Sequence, residues 1–448
     1  MQLDRIEVAT SAALAFAFAE HRVRTVFTLL GDGNMHFCVA LAEQHGARLV
    51  HVRHEHNAVT AAMGYASATG EVGVASVTCG PGLAQLGTAL VSAARNRVPL
   101  VVFAGETPLG ALWHNQTFAP EPFAAACETH IISIRDQKHA LSRVRDAFHI
   151  ARRDRAPVIL SVPIDVQAQA FSDELRVDPA PDLSSRSGSR LDSAAARTIA
   201  EQLLAARNPV LLAGKGAVSS GADVGIAALA NRVGALLATT LKAKGMFDDH
   251  PYSLGVCGGF ASDTAREALA QCDLLLAFGA SLNNYTLGGG DLMPKARIVQ
   301  IDTAPDSVVA GRIVADESHA SDAEKAVEAI MEALGNGHSE AVARTPELAS
   351  DLRNRPADAT DFDIEPGRAD PRAVFSELET VLPAGVDIVS GAGHDAVYVA
   401  KIAPAGMIFV PSIGGISHAP EEDTAWPDIE AGTNLLLHTL LDVAAAKP

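Results

Sequence analysis

Near-continuous apolar runs alternate with amphipathic or alanine-rich segments along the first 170 residues of the chain. The short apolar and β-branched runs predict strands, and the longer segments between them predict helices. Strands without polar alternation are typical of a parallel sheet that is buried on both faces. The pattern therefore predicts an α/β domain with helices on both sides of its sheet. The predicted strands are 25–30, 49–53, 72–78, 99–104 and 158–162, and the predicted helices are 6–21, 56–70 and 83–94.

Two polar stretches, rich in Pro, Ser and Asp, divide the chain after this first domain of residues 1–170. Their composition is typical of linkers. Linker 171–192 leads to a second α/β domain over 193–335, and linker 336–370 leads to a C-terminal segment, 371–448. The predicted fold is thus two doubly wound parallel-sheet domains followed by a short, incomplete α/β segment. The second domain has predicted strands at 208–213, 235–240, 274–279 and 298–302.

The composition excludes several classes of protein. Apolar residues make up 48% of the chain and charged residues 20%, which is typical of a globular protein. The net charge is −18 and the aromatic content 5%, so a phosphate-binding or base-stacking surface for nucleic acid is not expected. Charged residues interrupt the N-terminal segment, and no apolar run approaches about 18 residues, so neither a signal peptide nor a membrane span is predicted.

The cysteines do not form a pattern that is typical of disulfides or zinc. Five is an odd number, and no two cysteines have the spacing of a CxxC pair. A disulfide framework and a structural zinc site are therefore not expected, and a reducing cytoplasm fits best. The five are Cys38, Cys79, Cys127, Cys257 and Cys272.

Glu55 lies where a predicted strand ends and an alanine-rich helix begins. Ligands of open α/β sheets bind beyond the carboxyl ends of the strands. A partly buried carboxylate at that edge is well placed to accept or donate a proton. An alternative stays open on position alone: an acidic residue at the start of a helix also stabilises the helix dipole.

Two segments that follow Glu55 in the sequence form, together with it, a pattern that resembles a known family. They are Thr78-Cys-Gly-Pro-Gly82, after the next predicted strand, and the segment 97–108, which ends in Gly-Glu-Thr-Pro. In this order the motifs resemble the pyrimidine-binding domain of thiamine diphosphate enzymes of the acetolactate synthase, benzoylformate decarboxylase and pyruvate decarboxylase group. The resemblance implies that Glu55 bonds N1′ of the aminopyrimidine, so that the 4′-imino group can deprotonate the thiazolium C2.

The resemblance also implies a set of cofactor-binding residues in two loops. Glycines there allow the backbone to approach the cofactor closely. One position departs from the family, since Gln85 stands where many relatives have Asn. The implied set is Gly31, Asp32, Thr78, Gly80, Gly82 and Gln85.

Four histidines, His36, His54, His56 and His114, lie near these loops in the sequence. Some relatives use histidines to handle a 2-oxoacid substrate, whereas histidines in surface loops are usually only solvated. Residues 31–34 read Gly-Asp-Gly-Asn, which resembles the start of the family's GDG…NN motif for Mg²⁺ and diphosphate. No NN follows at the required distance, so the segment predicts a tight turn on the pyrimidine side.

Residues 190–335 resemble the central domain of the same family, with a Gly214-Lys-Gly216 turn between a predicted strand and a helix. A loose glycine turn is a weak sign of nucleotide binding. This domain binds FAD in some relatives and nothing in others, and structural packing without a ligand is the expected role.

The C-terminal segment resembles one family before about residue 389 and another family after it. Its first part resembles the start of the family's third domain, which should hold Mg²⁺ and diphosphate, but no GDG…NN follows. From Ser390 the phrases SGAGHDA, GMIFVPS and GGISHAPEE resemble the C-terminal end of zinc-dependent carbamoylase, hydantoinase and allantoate amidohydrolases. His418 then matches the last ligand of a two-metal site. No other ligands are found upstream, so His418 and His394 are interpreted as remnants, and the chain as a natural or accidental fusion.

Three functions follow as hypotheses. The first is a thiamine diphosphate enzyme that cleaves or joins C–C bonds of 2-oxoacids, impaired unless a partner chain supplies the Mg²⁺-diphosphate half. Such an enzyme is expected to be a homo-oligomer, either a dimer or a tetramer. The second is a zinc-dependent amidohydrolase that acts on C–N bonds of N-carbamoyl amino acids. The third is a non-catalytic fusion remnant.

Overall fold

The computed structural model describes residues 8–171, 175–181, 189–305 and 314–355. The chain divides into two compact units, with a boundary between residues 183 and 184. Unit 1 contains the predicted first domain, and unit 2 contains the predicted central domain. The predictions for residues 371–448, including the junction near 389, His394 and His418, lie outside the described residues.

Unit 1 is built on a six-stranded parallel sheet with the order β3-β2-β4-β5-β7-β6. A two-stranded antiparallel ribbon, β1-β8, lies apart from this sheet. The strands are β1 Val8–Ala9, β2 Thr25–Thr28, β3 Arg48–His51, β4 Gly73–Val77, β5 Leu100–Glu106, β6 His130–Ser133, β7 Pro157–Pro163 and β8 Ala170–Phe171. The helices are α1 Thr10–Glu20, α2 Met35–His45, α3 Glu55–Thr69, α4 Pro81–Ala84, α5 Gly87–Arg95, α6 Pro120–Ala126, α7 Ala140–Asp154 and α8 Ile164–Ala168.

The sheet of unit 1 is covered by hydrophobic clusters on both faces. On β5, Val101 and Phe103 belong to one cluster, while Val102 and Ala104 belong to the other. Successive side chains of a strand point to opposite faces, so both sets must be apolar. This arrangement explains why the strands appear in the sequence as uninterrupted apolar runs, as the sequence predicted.

Unit 2 contains a second parallel six-stranded sheet, with the order β11-β10-β9-β12-β13-β14. Its two faces are likewise covered by separate clusters, with Leu211 and Leu276 in one and Leu212 and Leu275 in the other. The strands are β9 Pro209–Ala213, β10 Leu236–Thr239, β11 Ser253–Val256, β12 Leu274–Phe278, β13 Arg297–Asp302 and β14 Glu317–Ala320. The helices are α9 Ser193–Ala205, α10 Lys215–Ser220, α11 Asp223–Val233, α12 Asp263–Leu269, α13 Asn284–Leu287, α14 Ala323–Leu334 and α15 Pro346–Asn354, with 3₁₀ turns at Leu241–Ala243 and Gly288–Gly290.

Several elements differ from the sequence prediction. A turn at Gln85 and Leu86 divides the predicted helix 83–94 into α4 and α5. The edge strands β6, β11 and β14 were not predicted, because partly exposed edge strands such as Glu-Ser-His-Ala carry polar residues. The interior strands, which are largely apolar, were predicted to within two residues at either end.

Both predicted linkers contain ordered, packed segments within their described parts. In the first, Ala180 is buried, its N–H donates to His21 Nε2 at 3.0 Å, and its carbonyl accepts from Arg152 Nη1 at 2.7 Å. In the second, helix α15 begins with Thr345 as its N-cap and contacts α12. The described parts of the two predicted linkers therefore pack against elements that are distant in sequence.

Candidate functional site

The candidate site lies where the order of the strands in unit 1 changes direction. The chain runs from β2 outward to β3 and then crosses back to β4 on the other side of β2. Neighbouring connections diverge at such a switch point, and they leave a crevice at the carboxyl ends of the two strands. The loops there are the GDGN turn (residues 31–34), after β2, and the glycine loop (residues 78–82), after β4.

Asn34 fastens the GDGN turn to both strands from inside the protein. Its side chain is fully buried, and its amide Nδ2 donates to Thr28 Oγ1 at 3.2 Å and to Ser76 Oγ at 2.9 Å. The same nitrogen lies 3.2 Å from the Leu29 carbonyl, and its Oδ1 accepts from the Gly31 N–H at 2.9 Å. A buried amide with these partners fixes the turn, because leaving any of them unpaired would cost free energy.

Thr78 joins the GDGN turn to the glycine loop. Its hydroxyl donates to Asp32 Oδ1 at 3.0 Å and accepts from the Gly33 N–H at 3.1 Å. Gly31 packs directly on the same side chain, since a Cβ on this glycine would lie 2.7 Å from Thr78 Cβ. The two predicted cofactor loops are therefore in direct contact, and the Thr78 hydroxyl bonds to two residues of the GDGN turn.

Glu55 is the first residue of α3 and faces the glycine loop. A Cβ on Gly82 would lie 2.9 Å from Thr78 Cγ2 and 3.7 Å from Glu55 Oε1. The side chain of Glu55 is partly buried. The preceding residue, His54, is the N-cap of the helix, and its Nδ1 accepts from the His56 N–H at 3.2 Å. The carboxylate is thus held in the first helical turn, where the helix dipole favours a negative charge.

The residues at this position fit an aminopyrimidine. Within the described part of the chain, no hydrogen bond or ion pair joins the Glu55 carboxylate to another residue. An acceptor with no protein partner, beside a loop that lacks side chains at Gly80 and Gly82, can take an N–H or a protonated ring nitrogen from a planar ligand. The alternative role, an acid that stabilises the helix start, is compatible with the same geometry.

Gln116 and Cys79 contact this site but were not among the predicted site residues. The Cys79 thiol lies 3.1 Å from Gln116 Oε1, and a Cβ on Gly80 would collide with the Gln116 carbonyl. Gly80 also has a φ of +60°, which favours glycine. No signal in the sequence connects residue 116 to residue 80, because the contact is made across two connections of the sheet.

The remaining predicted residues are spread around the site. Gln85 is exposed after α4 and forms no hydrogen bond with the other predicted residues in the described structure. His36 is exposed on α2, and the rings of His54 and His56 are 6.4 Å apart at the start of α3. His114 Nδ1 accepts from the Gln116 N–H at 3.1 Å, so this histidine shapes a loop beside the glycine loop.

The GDGN turn has few free groups for a diphosphate and its Mg²⁺, since Asp32 is its only exposed side chain. The N–H groups of Gly31 and Gly33 donate to Asn34 Oδ1 and Thr78 Oγ1, and Asn34 is buried away from solvent. A diphosphate-Mg²⁺ site requires free backbone N–H groups and accessible oxygen ligands. This geometry supports the interpretation of residues 31–34 as a turn on the pyrimidine side.

Two family descriptions match the chain, one in each unit. Residues 8–124 match the thiamine pyrophosphate enzyme N-terminal TPP binding domain, and residues 196–330 match the thiamine pyrophosphate enzyme central domain. The chain belongs to the thiamine pyrophosphate enzyme family. The N-terminal match contains Glu55 and both loops of the switch-point crevice.

Acetolactate synthases are among the similar proteins. The chain is 33% identical over 312 residues to the acetolactate synthase large subunit of Parasynechococcus marenigrum, covering 67% of this chain and 50% of that protein. It is 31% identical over 335 residues to a probable acetolactate synthase large subunit of Methanocaldococcus jannaschii, covering 72% and 55%. The chain thus spans about half the length of the curated relatives it matches.

In the part of this chain that matches the central domain, the predicted glycine turn packs against a neighbouring loop. A Cβ on Gly216 would lie 2.6 Å from Gly279 Cα, so the turn after β9 and the loop after β12 touch backbone to backbone. The Gly214 N–H donates to the Phe278 carbonyl at 2.8 Å, and the Gly216 N–H to the Gly279 carbonyl at 3.0 Å. These two glycine N–H groups are therefore not available to the phosphates of FAD.

The described residues contain no group of three or more His, Cys, Asp or Glu side chains that could hold a metal ion. None of the described helices combines the length and hydrophobicity needed to cross a bilayer. All five cysteines are free and buried, and burial raises the pKa of the Cys257 thiol to about 12.

Proposed function

We propose that this chain binds thiamine diphosphate through the aminopyrimidine and takes part in cleavage or formation of C–C bonds of 2-oxoacids. The observation that carries the proposal is the position of Glu55, whose partner-free carboxylate faces Gly82 at the start of α3. Membership of the thiamine pyrophosphate enzyme family and the similarity to acetolactate synthases support the same reaction class.

The residues of the crevice have distinct parts in this proposal. Glu55 accepts a hydrogen bond at N1′ of the ring and holds a proton there, while Gly80 and Gly82 let the ring approach the backbone. Thr78 and Asp32 keep the glycine loop at a fixed distance from the GDGN turn. When bound, thiamine diphosphate supplies the electron sink for the bond that breaks or forms next to the carbonyl of a 2-oxoacid.

The described residues offer few ligands to a diphosphate and its Mg²⁺. Among the described residues no acidic cluster could hold the metal, and the N–H groups of Gly31 and Gly33 in the GDGN turn are already bonded. We therefore propose that a partner supplies this half of the site, either a second copy of the chain or a different chain. The active form is then an oligomer.

Calorimetric titration of the full chain with thiamine diphosphate and Mg²⁺ tests the cofactor assignment. The Glu55→Gln variant should bind the cofactor at least about tenfold more weakly, since it loses a charge-assisted hydrogen bond. Glu43→Gln, which alters an exposed carboxylate on α2, serves as the matched control and should bind like the parent chain. No heat with the parent chain, or equal affinity in Glu55→Gln, would contradict the assignment.

Activity on pyruvate and benzoylformate separates binding from catalysis. Carbon dioxide release that depends on Glu55 would support a 2-oxoacid enzyme. Cofactor binding without turnover of either acid would contradict an independent enzyme and favour a chain that needs a partner. The amidohydrolase-like tail from residue 390 stays a prediction, and zinc analysis of the full chain addresses it directly.

A further inference from the structure

A long loop without regular structure overlies the glycine loop of the candidate site. This covering loop (residues 107–119) connects β5 to α6 and is longer than the usual connection of about two to six residues. Loops of this length in compact domains are usually functional. Its Gln116 makes the contacts with Cys79 and Gly80 described above, so the covering loop packs against the same glycine loop whose Gly82 faces Glu55.

Arg135 holds both ends of the covering loop. Its Nη1 donates to Glu106 Oε1 at 2.6 Å, and its Nη2 donates to Glu121 Oε1 at 3.2 Å. Glu106 is the last residue before the loop, and Glu121 is the second residue after it. One guanidinium therefore bonds to both stems of the loop, from the connection that follows β6.

Two serines complete this arrangement. Ser161 Oγ donates to Glu106 Oε2 at 2.6 Å, and Ser133 Oγ donates to Glu121 Oε1 at 3.1 Å. The Glu106 side chain is 16% exposed and that of Arg135 39%, so the pair is shielded from water more than an ordinary surface ion pair. Shielded, multiply bonded arginine–carboxylate pairs hold their geometry better than single exposed pairs.

A small cleft lies between the covering loop and the glycine loop. Its cavity volume is only about 10 Å³, and it is lined by Gly80, Glu106, Gln116 and Ser161, among others. The cleft adjoins the glycine loop that faces Glu55, and its width depends on where the covering loop lies. Arg135 is in contact with one wall of this cleft through Glu106.

We propose that Arg135 is a positioning residue of the cofactor site, which clamps the two stems of the covering loop so that Gln116 stays against the glycine loop. The link between this clamp and cofactor binding rests on the proposed function, whereas the clamping of the loop does not. The fork of an arginine is needed because the two carboxylates are reached by different nitrogens. A lysine has one ammonium group and is expected to bond one stem only.

Hydrogen exchange of the full chain, without cofactor, tests the clamp directly. Arg135→Met should raise the exchange rates of amides in 107–119 by about tenfold or more, because two charged hydrogen bonds are lost. Arg135→Lys should also raise these exchange rates, although it keeps the positive charge. Arg143→Met is the matched control, since Arg143 pairs only loosely with Asp146 at 3.7 Å and touches neither stem.

Glu121→Gln is a second test in case Arg135→Met does not fold. The Glu121 side chain is 52% exposed, and the substitution leaves the bond between Arg135 and Glu106 in place. This variant should also raise the amide exchange rates in the covering loop.

Trp113 provides a second readout: the chain has two tryptophans, so Trp426→Phe leaves Trp113 as the sole reporter. Its fluorescence anisotropy should fall in Arg135→Met and stay unchanged in Arg143→Met. Unchanged exchange in Arg135→Met, or equal effects of Arg143→Met, would overturn the clamp.

Titration with thiamine diphosphate and Mg²⁺ then links the clamp to the site. Weaker binding by Arg135→Met and Glu121→Gln, in step with faster loop exchange, supports the positioning role. A loosened loop with unchanged cofactor affinity overturns it. If the parent chain binds no cofactor, the proposed function fails, and the exchange data still decide whether Arg135 clamps the loop.

Discussion

The side-chain amide of Asn34 donates to the Ser76 hydroxyl at 2.9 Å in the fully buried interior of unit 1. This bond connects the turn after β2 with the neighbouring strand β4, at the point where the order of the strands reverses. The crevice of the candidate site therefore has a polar support beneath it, and its geometry depends on a residue that cannot itself reach a ligand.

Asn34→Ala should lower the free energy of unfolding by about 3 kcal/mol, because buried partners are left without their hydrogen bonds. Urea unfolding followed by circular dichroism measures this change. Asn57→Ala, at an exposed position in the first turns of α3, is the control and should cost less than about 1 kcal/mol. Equal losses in the two variants would show that the Asn34 network does not support the fold.

Gly80→Ala should disturb the site more than its backbone conformation alone would suggest. Gly80 and Gly46 have φ values of +60° and +70°, so alanine is strained at both positions, and more so at Gly80, whose ψ of −110° lies outside the left-handed helical region. A Cβ on Gly80 would also collide with the Gln116 carbonyl, whereas Gly46 has nothing within 4 Å. Gly80→Ala is therefore expected to cost at least about 1 kcal/mol more than Gly46→Ala in urea unfolding. A smaller loss at Gly80 than at Gly46 would contradict the observed contact with the covering loop.

His21 should make unit 1 less stable in acid. Its Nδ1 donates to the Ala17 carbonyl at 2.7 Å and its Nε2 accepts from the Ala180 N–H, so the bonded form is neutral. Burial lowers the pKa of His21 from its ordinary value of 6.5, and the charges of Arg152 and Arg145 lower it further, against the opposing bond to Ala17.

The sign of this effect follows from proton binding. Below about pH 6.5 the unfolded chain binds a proton at this histidine, whereas the folded chain does not. The free energy of unfolding therefore decreases as the pH is lowered, until the pH reaches the lowered pKa of the folded state. Thermal unfolding between pH 7.5 and 5 should show a flatter pH dependence for His21→Gln than for the parent chain. His36→Gln, at an exposed position, should keep the parent slope. Identical slopes for His21→Gln and the parent would exclude His21 as the source.

Gly216→Ala should destabilise unit 2 whether or not FAD is added. The new Cβ would lie 2.6 Å from Gly279 Cα, and overpacking of this kind costs about 1–3 kcal/mol. Gly259→Ala places its Cβ in open space and is the matched control. Stabilisation of the parent chain by FAD that disappears in Gly216→Ala would instead indicate that the turn binds the dinucleotide.

The five thiols should react slowly in the native protein. All five cysteines are buried, and burial raises the pKa of Cys38, Cys79 and Cys257, which lowers the fraction of reactive thiolate. Ellman's reagent at pH 8 should therefore label them fully only after denaturation. One rapid equivalent in the native protein would show that a thiol, such as Cys79 beside the glycine loop, is accessible.

The sequence was sufficient to predict the interior of both sheets and the place of Glu55. Strands such as β5 and β12 are apolar on both faces, because a parallel sheet between two helical layers leaves no face for water. Glu55 was predictable for a similar reason, since a strand end followed directly by a helix start puts a carboxylate at the ligand-binding edge. Gln116, Arg135 and Glu106 gave no such signal, as their importance comes from partners that are distant in the chain.

What the sequence determined by itself was therefore local: which runs form strands, which residues begin helices, and which motif stands at a strand end. The tertiary structure alone decided which loops meet, because the order β3-β2-β4-β5-β7-β6 brings together segments that lie far apart in the chain. The same holds for the glycines. Gly80 and Gly216 look alike in the sequence, yet Gly80 lies against Gln116 of the covering loop and Gly216 lies against the backbone of Gly279. The role of each glycine therefore depends on the segment that packs against it.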